Sequence, residues 1–97
     1  MGMYTKWAVK APLKPGFDWS ELTRRLGELE RGDQILDNID VGGGWIGGNG
    51  ELKDYHGETT VLAAWTQKNL DRSQISAGDP FFVAWYEGED FPLIRTT

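Results

Sequence analysis

The residues in this chain with the means to do chemistry are few. His56 is its single histidine, with Asp54 and Tyr55 beside it. An imidazole next to a carboxylate can act as a general base or ligate a metal, but either task needs convergent groups from elsewhere in the chain. With no cysteine available, thiolate nucleophiles and zinc–thiolate sites are absent, and His56 reads as an exposed loop residue. Asp33, Asp37 and Asp40 lack the spacing and the twelfth-position glutamate of a calcium loop, and read as solvated carboxylates. Ser20, Ser73 and Ser76 stand in no G-x-S-x-G context. Gly42-Gly43-Gly44-Trp45-Ile46-Gly47 satisfies G-x-G-x-x-G after a β-like run. Yet the GNGELKDYHGE that follows has no helical period, so the helix N-terminus that would receive a phosphate is missing. The sequence therefore assigns no catalytic residue, no metal ligand and no cofactor.

What remains is an aromatic signal. Five tryptophans occur in 97 residues. Trp7, Trp19, Trp65 and Trp85 fall on regular elements, where a core role is natural. Trp45 lies with Ile46 between two glycine groups. There it either folds back as a plug on the core or stands out as an anchor, because tryptophan offers much contact area at small entropic cost. Glu87-Gly88-Glu89-Asp90 forms a compact acidic turn, and Lys plus Arg against Asp plus Glu gives 10 − 15 = −5. Such a field repels phosphate backbones and favours basic partners.

The elements that must position these residues follow from periodicity and punctuation. Phe17 to Gly32 reads as a helix over about residues 19–31. Asp18 is the N-cap, Glu21 closes a capping box, and Phe17 and Leu22 are spaced as a hydrophobic staple. Trp19, Leu22, Leu26 and Leu29 form one apolar stripe. Gly27 inside the helix implies close approach to the sheet, and Gly32 ends it. Tyr4 to Ala11, with Lys6 and Lys10 opposed to Trp7, Val9 and Ala11, is a half-buried strand. Gln34 to Val41 reads as a β-branched strand, Gly42 to Gly50 as a flexible loop or hairpin turning at Asn49-Gly50, and Thr59 to Gln67 as a central strand apolar on both faces. Pro80 to Tyr86 is a further strand. Phe91 to Thr97 is a last short one, confined to an edge by Pro92.

These elements predict a single α+β domain over residues 1–97, with Met1 to Met3 left out of account. It has one antiparallel sheet of about four to five strands and one α-helix packed on one face. The alternative is a ferredoxin-like βαββαβ arrangement, which needs a second helix; Lys68 to Ile75 is its candidate. A cysteine-free chain with no run of about 18 apolar residues and no signal-peptide core fits a reducing cytoplasm, and neither nucleic acid nor membrane is expected as partner. The expected function is that of a small acidic, non-catalytic protein-binding domain of inhibitor or immunity type, acting on a protein with a basic surface. Its binding residues are Trp45, Ile46, Asn49, Tyr55, His56, Glu87, Glu89 and Asp90. Two other readings are a sugar or nucleotide site closed by Trp45, Tyr55 and His56, and a small enzyme using His56. Homodimerisation through an edge strand such as Phe91 to Thr97 is a further expectation.

Overall fold

Alternation along the first strand decides which side of the sheet becomes the core. In β1 (Tyr4–Pro12) Thr5, Trp7, Val9 and Ala11 are buried, whereas Tyr4, Lys6, Ala8 and Lys10 are half-buried or exposed on the other side. The computed structural model describes residues 4–53, 57–76, 78 and 81–86, with 82–86 as backbone alone. Within these residues a four-stranded sheet has the order β2-β3-β1-β4, each neighbouring pair antiparallel, with β2 at Ile39–Gly42, β3 at Trp45–Lys53 and β4 at Phe82–Tyr86. Three helices, α1 (Trp19–Gly27), α2 (Gly32–Leu36) and α3 (Glu58–Lys68), join Trp7, Val9, Ala11, Ile39, Ile46 and Leu52 of the sheet in one core through Leu22, Leu26, Ile35, Leu62, Ala63 and Trp65. The class is α+β, and the single helix expected from the sequence is corrected to three among the described residues.

The helix α1 starts as its cap dictates and stops early. Asp18 accepts from the Glu21 backbone N–H at 3.2 Å and from the Ser20 hydroxyl at 2.6 Å, supplying an acceptor for a first-turn donor. The Glu21 carboxylate pairs with Lys68 Nζ at 3.2 Å and so ties α1 to the end of α3. Phe17 and Trp19 meet Trp65 edge to face at centroid distances of 6.2 and 6.1 Å. The helix ends at Gly27 instead of running to residue 31, and Leu29 falls beyond it. Gly27 faces open space, contrary to the close approach to the sheet expected there; the tight contact is instead between helices, at Gly32 of α2, where a side chain would overlap the Leu26 carbonyl of α1.

Two assignments change type. Residues 34–38 complete and leave α2, so the expected strand Gln34 to Val41 is strand only from Ile39. Thr59 to Gln67 is helix, not a central strand. Its buried residues, Glu58, Thr59, Leu62, Ala63, Trp65 and Thr66, follow the 3.6-residue period, and Thr60, Ala64 and Gln67 face solvent. Its polar groups are satisfied locally: the Thr66 hydroxyl donates to Leu62 O at 2.8 Å and Asn69 Nδ2 to Trp65 O at 2.9 Å. Lys68 to Ile75 is not a second helix: Lys68 ends α3, Leu70 bridges to Leu13 and joins the core, and Arg72–Gln74 is a 3₁₀ turn capped by Asp71. No described helix is long and apolar enough to cross a membrane.

Candidate functional site

Of the two forms expected for Gly42 to Gly50, flexible loop or hairpin, the structure has the hairpin, formed by β2 and β3. Its turn is Gly43-Gly44, with φ of 61° and 80°, the two consecutive positive values of a type I′ turn, which glycine adopts without strain. Asn49-Gly50, expected to be a turn, lies inside β3 opposite Ala8 and Trp7. Gly50 serves packing, since a side chain there would come within 3.1–3.3 Å of the Trp7 indole. The turn is pinned to the end of β1 by Leu13 N–H donating to Gly44 O at 2.7 Å. That bond holds Trp45, the next residue, at the start of β3.

From this position Trp45 is 40 % exposed, so it is a surface residue rather than a plug on the core. It borders an open groove of about 660 Å³ on the sheet face away from the helices, with Ala8 and Lys10 of β1, Asp40 and Gly42 of β2, and Gly47 and Asn49 of β3 along it. The floor is smooth because Gly42, Gly47 and Ala8 carry little or no side chain. Lys10 and Asp40 are exposed; Lys6 farther along β1 is matched by Glu51 at 3.9 Å across the strand pair. Trp7 and Trp65 are 2 % and 1 % exposed and Trp19 is half-buried, so among the described side chains Trp45 is the tryptophan free to make an outside contact.

Of the residues expected to bind, the fold brings Trp45 and Asn49 to one groove. Ile46 belongs to the core, 1 % exposed, because adjacent strand residues point to opposite faces; this corrects its place beside Trp45 as an exposed anchor. Tyr55, His56, Glu87, Glu89 and Asp90 lie outside the described residues, as does the strand Phe91 to Thr97. Lys10, Asp40, Ala8, Gly42 and Gly47 escaped the sequence reading. Alternation in β1 already set Lys10 opposite Val9, but the neighbours of Lys10 across the sheet depend on strand order, which has no local signature. Among the described residues no group of three His, Asp or Glu side chains is placed to hold a metal ion.

Two carboxylates away from the groove are perturbed. Asp18 is held below its ordinary value of 3.8 by the Ser20 hydroxyl first and the Glu21 N–H second. Asp71 is lowered by the Ser73 hydroxyl and then the Gln74 amide. Both are caps near the surface, Asp18 exposed and Asp71 half-buried, that accept several hydrogen bonds in their charged form, the arrangement that favours ionisation. Glu58 is fully buried at the start of α3, and its Oε2 accepts from the Arg31 N–H at 2.8 Å, joining α3 to the segment entering α2.

Comparison of the chain with protein-family models, with curated proteins and with solved structures finds no match.

Proposed function

We propose that the chain is a small, non-catalytic protein-binding domain of inhibitor or immunity type that docks a protein partner on the face of its sheet opposite the described helices, with Trp45 as anchor. The observation that carries this reading is the 40 % exposure of Trp45 at the rim of an open groove. A large rigid aromatic beside small residues is the composition of an interface hot spot. The groove is broad and open, whereas small-ligand sites bury 70–90 % of their ligand in a concave pocket; this favours a protein surface over a sugar or nucleotide. An overall charge of −5 speeds encounter with a basic partner at long range, and such fields fade over about 8 Å at physiological salt. Contact itself would be charge-mixed, with Lys10 and Asp40 on opposite sides of the groove.

The finer architecture we infer is ferredoxin-like. Taking α1 and α2 as one crossover, the element order is β-α-β-β-α-β, and each crossover joins two strands with a third between them. The second helix is α3 in place of Lys68 to Ile75.

The test is an affinity capture from the native host with the full chain and with Trp45→Ala. The expected outcome is a specific partner whose affinity for the variant falls by about 30-fold or more, with an unchanged melting temperature. Equal capture by the two chains would refute the anchor.

A further inference from the structure

We propose that, without its partner, the chain covers its own docking face by pairing with a second copy through a two-fold axis parallel to β3. The proposal rests on the reading of this face as a docking surface and adds what occupies it in the free protein. Register pairs Gly47 with Lys10 on one side and with Asp40 on the other, so Asp40, Gly47 and Lys10 form a single row across three strands. Opposite charges end the row about 10 Å apart at ~4.8 Å per strand, with a residue lacking a side chain at its centre. Among the described residues neither Lys10 nor Asp40 enters an ion pair.

Rotation by 180° about an axis along β3 above Gly47 exchanges the two ends of the row. Lys10 of each copy then faces Asp40 of the other, giving two equivalent ion pairs, as an isologous contact requires. Gly47 lets the two sheets approach at the axis. Trp45, two residues earlier on the same strand and on the same face, meets its own symmetry mate, and the two indoles bury the exposed aromatic surface. A row ending in two lysines or two aspartates would repel its own image. The longest strands, β1 and β3, have nine residues each, so the four-stranded face has a footprint of about 600 Å² at ~3.3 Å per residue and ~4.8 Å per strand. That is below the ~800 Å² per partner of a standard stable interface. The pairing is therefore reversible, and a foreign partner can displace it.

Sedimentation equilibrium of the full chain from about 1 to 500 μM, a range that spans the micromolar affinity expected for so small an interface, tests the proposal. The expected result is a monomer–dimer equilibrium. Lys10→Glu alone or Asp40→Lys alone, each placing like charges opposite one another twice, weakens it by about tenfold or more. The double variant K10E/D40K restores it to within about threefold. Both positions are exposed, and thermal melts confirm that each variant is folded. A monomer throughout the range, or a dimer indifferent to the single exchanges, would overturn the proposal. A chain that stays monomeric yet loses its foreign partner on Trp45→Ala rejects self-pairing and keeps the docking face; loss of neither rejects both.

Discussion

At the residue scale the molecule depends on a few polar side chains that complete what the backbone leaves open. Asp18 is the clearest case. Its carboxylate accepts from Ser20 and Glu21, and its pKa is lowered as a result. A carboxyl whose folded value lies below its unfolded value adds stability that is fully present above the unfolded value and disappears as pH falls through the folded one. Asp18→Asn removes this contribution while keeping a competent cap. The melting temperature of the natural chain should therefore exceed that of the variant by a constant amount above about pH 5, and the gap should shrink as pH falls from there through the lowered folded value, toward about pH 2. Thermal melts across that interval check it, and a gap that widens on acidification would contradict the cap. Asp71, lowered by Ser73 and Gln74, should behave alike in Asp71→Asn.

At the element scale the β2–β3 hairpin decides where the docking residues stand. Its turn holds two glycines with positive φ. A Cβ in the left-handed region costs about 1–2 kcal/mol, and asparagine tolerates that region better than other residues. Gly44→Ala should thus lower stability by about 1 kcal/mol or more, while Gly43→Asn, which creates the favoured Asn-Gly pair, should leave it within about 0.5 kcal/mol. Denaturant titration of both variants gives the comparison. Equal losses would place the turn elsewhere. The sequence contained two glycine-based turn signals in this stretch, Gly42-Gly43-Gly44 and Asn49-Gly50. The local pattern ranks the second higher, but Trp7 needs a residue without a side chain opposite it, which explains why Gly50 is a packing residue. The helix α3 departs from its local sequence signal for a physical reason. Thr59, Thr60 and Val61 favour strand locally. The helix wins because Leu62, Trp65 and Thr66 share one buried stripe, and burial outweighs propensities that differ by a few tenths of a kcal/mol per residue.

At the scale of the whole molecule the question is what joins the helical layer into one unit. Trp65 of α3 donates from Nε1 to Asp18 O at 2.9 Å and packs against Phe17 and Trp19. Glu58, at the other end of α3, accepts from Arg31. Removing a buried acceptor leaves its donor unsatisfied, at a cost of about 1–3 kcal/mol. Glu58→Ala should therefore destabilise the whole fold by about 2–3 kcal/mol or more, and Glu58→Gln, which keeps an acceptor oxygen, by less. Urea unfolding followed by tryptophan fluorescence reads both. An alanine variant as stable as the glutamine variant would show that the hydrogen bond to Arg31 contributes nothing.

The sequence alone determined the features that depend on neighbours in the chain. These are the inward and outward faces of β1, the Asp18 cap, the apolar side of α1 through Leu22 and Leu26, and a tryptophan set apart from the others at Trp45. Each is local, arising from alternation, capping chemistry or glycine placed beside a large side chain. Only the tertiary structure decided that Thr59 to Gln67 is a helix, that Ile46 is core, and that Lys10 and Asp40 flank Gly47. Those outcomes rest on which strands lie side by side and which helix covers them. Pairing partners far apart along the chain are selected by the total apolar surface they bury together, a quantity that no short stretch contains.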